Sequence, residues 1–147
     1  MEEKYIYSEI ALDDFNPKFE VTSCFLEHDG KILLLLRQDH KPQPNVYWMP
    51  AGKIDSWETP LEAAMREISE ETSIALCESK MIFITKLYVK YPTYDFIYYV
   101  YRNILEDLPD VKINPCEHKG FLWVAPLEAL VLDSIPWLDE CIKIVYF

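Results

Sequence analysis

Apolar residues occur along the chain mostly in short runs, and these runs predict strands more often than helices. Two of them, 19–27 and 31–37, flank the dipeptide Asp29-Gly30. An Asp-Gly pair between two apolar runs is typical of a type I′ turn, so we predict a β-hairpin here. Segments rich in β-branched and aromatic residues predict three further strands, at 81–90, 94–102 and 121–124.

One segment carries the signals that start a helix. Thr59 is a suitable N-cap, Pro60 suits the first helical position, and Glu62 completes a T-x-x-E capping box. The predicted helix runs to about Thr72. At about 100° per residue, one set of apolar side chains faces the core: Leu61, Ala64, Met65 and Ile68.

The rest of the pattern and the size of the chain indicate one domain. A short helix is predicted at 126–132 and an amphipathic helix from Pro136 onward. With 147 residues, half of them hydrophobic, the chain is expected to form a single mixed α/β domain over 1–147. No apolar run approaches the roughly 20 residues of a membrane span, and no signal-peptide pattern follows the acidic N-terminus. We therefore expect a cytoplasmic protein without membrane contact.

Charge and cysteine usage narrow the classes of partner. The net charge is −11, from 25 acidic and 14 basic residues. Stable binding to a nucleic-acid backbone favours the opposite sign, because its affinity comes largely from Lys and Arg. A small anionic substrate is compatible if a metal ion or a local basic cluster offsets the field. The 4 cysteines are scattered without C-x-x-C spacing, which argues against a zinc site or a disulfide framework.

Three glutamates cluster on the predicted helix. Glu67, Glu70 and Glu71 are related by i,i+3 and i,i+4 steps, so their carboxylates gather on a stripe beside the apolar face. A glutamate-rich helix face is usually a solvated surface, and composition alone favours that interpretation. The other interpretation is a site for a divalent cation such as Mg²⁺, which prefers carboxylate oxygens and relieves their repulsion.

The residues around this cluster decide between the two interpretations. From Gly52 to Ile74 the chain reads Gly-Lys-Ile-Asp-Ser-Trp-Glu-Thr-Pro-Leu-Glu-Ala-Ala-Met-Arg-Glu-Ile-Ser-Glu-Glu-Thr-Ser-Ile. This segment resembles the Nudix box, G-x5-E-x7-R-E-U-x-E-E-x-G-U, where U is a bulky aliphatic residue. Eight of the nine specified positions match. The exception is Ser73, where the family has a glycine that ends the helix in the left-handed conformation. A side chain disfavours that conformation by roughly 1 kcal/mol, so the serine would either adopt it at that cost or shift the turn by one residue.

The resemblance implies a fold, a reaction and a cofactor. The fold is the Nudix α/β/α sandwich with a central mixed sheet. The reaction is hydrolysis of an X–O–P–O–P bond, where X is commonly a nucleoside, and the cofactor is Mg²⁺, with Mn²⁺ as a substitute. The implied partner is a small nucleotide-like molecule, and some members of the family form homodimers.

The matching positions imply residue roles. Glu67, Glu70 and Glu71 look like the metal-binding and catalytic carboxylates, with the backbone carbonyl of Ala51 as a further ligand. Either Glu70 or Glu71 would help to deprotonate the attacking water, and the sequence does not distinguish them.

Supporting positions surround this set. Glu58 looks like the loop carboxylate that pairs with Arg66 and holds the loop against the helix, a task that suits a planar guanidinium. Gly52 matches the glycine that lets the loop backbone approach the metal closely. Members often add a carboxylate on the loop before a late strand with a tryptophan. Glu117, six residues before Trp123, is the best match, with an ordinary solvent-facing acid as the alternative.

Substrate contacts are the least determined part of the sequence. Arg37 and Lys53 are candidates for binding phosphates, with exposed strand-end cations as the alternative. A set of aromatic residues offers stacking surface for a base, although aromatic residues in strands are more often core: Tyr88, Tyr91, Tyr94, Phe96 and Tyr98. The histidines are predicted to be plain surface residues: His28, His40 and His118.

Three functions agree with these residues. The first is a pyrophosphohydrolase of nucleoside triphosphates or modified (d)NTPs. The second is a hydrolase of ADP-ribose, a nucleotide sugar or a dinucleoside polyphosphate, a choice that depends on the loops at 38–46 and 103–117. The third is a Nudix module that senses a nucleotide without cleaving it. Such modules typically lose box carboxylates, whereas this chain keeps them.

Overall fold

The computed structural model describes residues 6–11 and 13–147. Within that part of the chain, eight strands are β1 (Ile6–Ser8), β2 (Pro17–His28), β3 (Lys31–Arg37), β4 (Tyr47–Trp48), β5 (Ala51–Lys53), β6 (Ile82–Tyr91), β7 (Tyr94–Ile104) and β8 (His118–Val124). The α-helices are α1 (Pro60–Thr72), α2 (Pro126–Ala129) and α3 (Leu138–Tyr146). None of the helices described is long and apolar enough to cross a bilayer.

The strands form one mixed sheet. Their order is β1-β6-β7-β2-β3-β4, with β5 paired to β2 and β8 paired to β3. The β2 and β7 strands are parallel over most of their length, whereas the other pairs are antiparallel. The predicted central mixed sheet is therefore confirmed.

The predicted hairpin joins β2 to β3, and its two strands separate soon after the turn. Asp29 has φ 51° and Gly30 has φ 75°, the two positive values that a type I′ turn requires. Only two residue pairs connect the strands next to the turn, Glu27 with Ile32 and His28 with Lys31. Nearer to the N-terminal end of β2, the strand that pairs with it is β5 rather than β3. This separation brings the start of the box beside the middle of the sheet.

Two hydrophobic cores cover the two faces of the sheet, which confirms the predicted α/β/α sandwich. On one face, sheet residues pack against α2 and α3; this core includes Phe25, Ile32, Leu34, Phe96, Tyr98, Leu138 and Ile142. On the other face they pack against α1; this core includes Cys24, Leu26, Leu33, Leu35, Ala64, Ile68 and Tyr101.

The helix α1 begins and ends where the sequence predicts. Thr59 and Glu62 form the reciprocal capping box, with both hydrogen bonds at 3.2 Å. At the other end Ser73 adopts φ 63° and ψ 20°, the left-handed conformation that the family's glycine takes without strain. The Ser73 hydroxyl donates to the carbonyl of Lys112 at 3.1 Å, and this bond offsets part of the roughly 1 kcal/mol that the conformation costs. The serine thus keeps the helix end that glycine would make.

Some predicted boundaries and one predicted core position are wrong. The last strand begins at His118 rather than 121, because its extra residues pair with the end of β3. The short helix ends at Ala129, and the final helix begins at Leu138 rather than Pro136. On α1, Met65 is only half-buried, because the buried side of the helix is rotated toward Glu71 and its neighbour Thr72.

Candidate active site

Gly52 allows α1 to lie close against β5. A Cβ atom built on Gly52 would overlap the carboxylate of Glu67, so a side chain at this position and the observed Glu67 rotamer exclude each other. The group in close contact with Gly52 is thus a box glutamate, and the close approach to a metal that the resemblance implies stays a prediction.

Arg66 connects the loop before α1 to the helix. Its Nε donates to Glu58 Oε2 at 2.6 Å and its Nη2 to Glu58 Oε1 at 2.8 Å, a two-pronged pair. The hydrogen bonds from Arg66 lower the pKa of Glu58. Nη2 also donates to the carbonyl of Lys53 at 3.1 Å, and Nη1 donates to Glu67 Oε1 at 2.8 Å. One guanidinium thus fixes the loop, the end of β5 and a box carboxylate.

The three helix glutamates occupy three different environments rather than one stripe. The side chain of Glu70 is 57% exposed, that of Glu67 is 15% exposed and that of Glu71 is 1% exposed. Burial raises the pKa of Glu67, and the contact with Arg66 opposes that rise. Only Glu70 therefore fits the interpretation as a solvated face.

Glu71 is the most unusual of the three. Its Oε1 accepts the N–H of Ala51 at 2.9 Å, whereas its Oε2 is buried without a hydrogen-bond partner among the residues described. Burial, and then the carboxylates of Glu67 and Glu117, raise the pKa of Glu71 well above its ordinary value. Buried polar atoms normally have partners, so this oxygen indicates a group that completes the site.

A further carboxylate, that of Glu117, lies next to Glu71. The loop before β8 brings it to Glu71 and His118, and the ligand atoms of these three residues lie within 4.8 Å of one another. Its carboxylate also forms a loose ion pair with Lys41 at 3.8 Å. The structure thus brings Glu117, the carboxylate outside the box that the family resemblance implies, next to Glu71, and its role as a metal ligand stays a prediction.

The prediction that His118 is a surface residue is wrong. Its side chain is 1% exposed, its Nε2 accepts the indole N–H of Trp48 at 2.9 Å, and it lies 3.6 Å from Glu71 Oε2. Burial, aided by the Arg37 and Lys41 cations, lowers the pKa of His118 to about 4, so the ring is neutral at pH 7. The sequence signal for this pair is weak: Trp48 stands in a short apolar stretch just before the box, and His118 directly follows a candidate ligand.

A cavity of about 250 Å³ opens beside this group. Its walls are largely aromatic, and they come from β2, β4, β6, β7 and the turn before α3: Phe19, Trp48, Tyr91, Tyr94, Phe96 and Trp137. Three of the predicted stacking residues line it, whereas Tyr98 is a core residue and Tyr88 packs against Phe15. For Trp137 the sequence predicts only a place in an amphipathic helix, because nothing local in the sequence connects it to β7.

Both candidate phosphate-binding cations line this cavity. Arg37 is 9% exposed, which excludes the alternative that it is an exposed cation at the end of a strand. Its Nε donates to the carbonyl of Pro42 at 2.9 Å, and its guanidinium lies 4.4 Å from the ring centroid of Trp48. Lys53 is exposed, and its ammonium lies 4.5 Å from the ring centroid of Phe19.

Comparison with known proteins agrees with this arrangement. The family model of the NUDIX domain matches residues 17–143. The chain belongs to the Nudix family. It is similar to a CTP pyrophosphohydrolase from Escherichia coli (strain K12), 27% identical over 117 residues that cover 80% of this chain and 83% of that protein.

Solved structures of Nudix proteins share the fold. A MutT NUDIX hydrolase from Burkholderia pseudomallei is 22% identical with a TM-score of 0.75, and the match covers 86% of this chain and 97% of that one. An Ap4A hydrolase from C. elegans is 18% identical with a TM-score of 0.71, and the match covers 86% and 94% of the two chains. The chain is thus a Nudix hydrolase of pyrophosphate bonds, a class of enzymes that generally uses divalent metal ions.

Proposed function

We propose that this Nudix hydrolase is an Mg²⁺-dependent pyrophosphohydrolase of nucleoside triphosphates or modified (d)NTPs. The ligands would be the carboxylates of Glu67, Glu70 and Glu71, with Glu117 and the carbonyl of Ala51 completing the set. The observation that carries the proposal is Glu71 Oε2, a buried carboxylate oxygen that has no hydrogen-bond partner in the described part of the chain and lies beside two further carboxylates.

The donor set fits a hard divalent cation. Carboxylate oxygens are the ligands that Mg²⁺ prefers, and the metal keeps several positions for water and phosphate oxygens. Burial, and then repulsion by Glu67 and Glu117, raise the pKa of Glu71, and a bound cation would oppose both effects. His118 is a poorer ligand, because the lone pair of its Nε2 already accepts the N–H of Trp48.

The residues of the chain divide the remaining tasks. When bound, Mg²⁺ would neutralise the phosphate oxygens and activate the attacking water. Glu70 is the better candidate for accepting the water proton, because its exposed carboxylate can pass that proton to solvent. Arg66 holds Glu67 in place and keeps the loop at Glu58 against α1.

The adjacent cavity supports a nucleotide as substrate. Aromatic faces offer stacking to a base, and Arg37 and Lys53 offer charge to the phosphates. No Asp or Glu is among the described residues that line it. The similarity to the CTP pyrophosphohydrolase agrees with a nucleoside triphosphate rather than another diphosphate.

A substrate panel with Mg²⁺ tests this function. The panel contains NTPs, dNTPs, modified dNTPs, ADP-ribose, nucleotide sugars and dinucleoside polyphosphates, and product release is followed by chromatography. We expect Glu67→Gln and Glu71→Gln to lower turnover by orders of magnitude, whereas Glu128→Gln, at an exposed glutamate of α2, does not. Turnover that survives EDTA would contradict the metal site. Binding of a nucleotide without turnover of any panel member would favour a sensor module.

A further inference from the structure

Behind the Glu71 carboxylate lie the buried side chain of His118 and the partly buried side chain of Trp48, neither of which is a proposed metal ligand. The indole Nε1–H of Trp48 donates to His118 Nε2 at 2.9 Å. The same Nε2 lies 3.6 Å from Glu71 Oε2, and the side chains of His118 and Glu71 are each 1% exposed. Two groups therefore compete for one imidazole nitrogen.

The hydrogen bond from Trp48 fixes where the histidine proton lies. An indole N–H only donates, so His118 must offer a lone pair at Nε2 and carry its proton on Nδ1. That Nδ1 is buried and has no hydrogen-bond partner among the residues described. Nδ1 lacks a partner among the described residues in either tautomer, as a donor in this one and as an acceptor in the other, so the choice between the tautomers is decided at Nε2.

The other tautomer would exchange the neutral hydrogen bond from Trp48 for a stronger one to Glu71, and it would suit the metal site worse. With its proton on Nε2, the imidazole would donate to Glu71 Oε2 in a charge-assisted hydrogen bond. The same oxygen would then be occupied when a divalent cation arrives. Both tautomers are neutral, so the choice between them involves no change of charge on the ring.

We propose that Trp48 is a positioning residue that holds His118 in the tautomer that cannot donate to Glu71, and so keeps Glu71 Oε2 open for the divalent metal. This inference rests on the proposed function, because it requires Glu71 to be a metal ligand. Two contacts hold Trp48 in position. It pairs with Leu35 in the sheet, and the guanidinium of Arg37 covers its ring.

Metal binding tests the inference directly. Trp48→Phe keeps an aromatic ring under Arg37 and removes the N–H. We expect this change to raise the Kd for Mn²⁺, measured by electron paramagnetic resonance of the free ion, by about tenfold, a typical effect for one hydrogen bond to a charged group. Adding His118→Phe removes the competing donor, so the double variant should return to a Kd near that of the wild type. The control is Trp123→Phe, which should leave the Kd unchanged. Trp123 is partly buried and packs against the same hydrophobic core as Trp48.

Two outcomes of this series would overturn the inference. One is a Trp48→Phe protein that binds Mn²⁺ as tightly as the wild type. The other is a double variant as weak as the single one, because the loss would then come from packing. If wild-type binding of Mn²⁺ does not depend on Glu71, the proposed function itself fails, and the inference fails with it.

A measurement on the wild type avoids any dependence on the folding of the variants. The chain has 3 histidines, so the ¹⁵N resonances of their rings can be assigned in the metal-free protein. We expect His118 to show the neutral tautomer with the proton on Nδ1. A proton on Nε2 would overturn the inference.

Discussion

Adding a single methyl group at position 52 should lower the activity of this protein and leave its stability nearly unchanged. In Gly52→Ala the new Cβ overlaps the carboxylate of Glu67, which is the far end of a flexible side chain. The carboxylate can therefore swing aside without moving the backbone, but it then loses its 2.8 Å contact with Arg66 Nη1. Gly52 does not have a positive φ, so alanine causes no backbone strain of its own.

The expected change in the free energy of unfolding is small, whereas the expected loss of kcat/KM is large. Loss of the ion pair costs up to about 1 kcal/mol, and alanine gains about 0.4–1 kcal/mol by restricting the unfolded chain, so the two effects nearly cancel. We therefore expect the Tm to change by no more than about 4 °C. A displaced box carboxylate should lower kcat/KM by about 100-fold or more, because misplacement of roughly 1 Å is enough for such a loss.

The assay compares thermal unfolding with steady-state hydrolysis of the best substrate from the panel. The control is Gly120→Ala, whose Cβ would meet its nearest neighbour, Leu36 Cδ2, at an ordinary 4.0 Å. It should keep the kcat/KM of the wild type, and its Tm should rise by no more than about 4 °C, because alanine restricts the unfolded chain here as well. Wild-type kcat/KM in Gly52→Ala would refute the reasoning, since Glu67 would then have no required position. A loss of activity that only follows a large fall in Tm would refute it as well.

Three further predictions concern the cavity, the loop and the metal. Tyr94→Leu should raise KM about tenfold with little change in kcat, because stacking on one base contributes roughly 1–3 kcal/mol, whereas Tyr88→Leu, outside the cavity, should leave KM unchanged. Glu58→Gln should lower the Tm at neutral pH. Because Arg66 lowers the pKa of Glu58 in the folded protein, that stability is present above the unfolded value of about 4.3 and is lost as the pH falls, so the Tm curves of variant and wild type should converge in acid. Mg²⁺ should raise the Tm of the wild type, since a ligand that binds only the folded state stabilises it, and should not raise that of Glu71→Gln.

Features that depend on neighbours in sequence were predictable. The hairpin at Asp29-Gly30 needs only its own two backbone conformations, and the capping box needs residues three apart. The box itself is a local pattern, because one helix and the loop before it carry most of the predicted site. The conformation of Ser73 was not predictable in this way, because a serine can either adopt the left-handed conformation or shift the turn by one residue; the structure shows the former.

Features that depend on contacts across the sheet were not predictable. The three glutamates look equivalent in the sequence, yet the packing of α1 on the sheet buries Glu71 and leaves Glu70 in solvent. The polar surroundings of His118 in the sequence suggest a surface position. It is buried because a register shift between Leu36 and Arg37 at the end of β3 pairs His118 with Arg37. There its ring accepts the hydrogen bond from Trp48.

The acidic composition of the chain and its anionic substrate class are reconciled by where the charges lie. A net charge of −11 acts over distance and is screened within roughly 8 Å at physiological salt. At the site, the carboxylates gather around Glu71, where a divalent cation can use them, while the described lining of the cavity holds Arg37 and Lys53 without Asp or Glu. In the proposed site, Arg37 would interact strongly with a phosphate because it is nearly buried, and a charge in low dielectric interacts more strongly than one in water. Local placement, rather than net charge, therefore determines which anion this protein can bind.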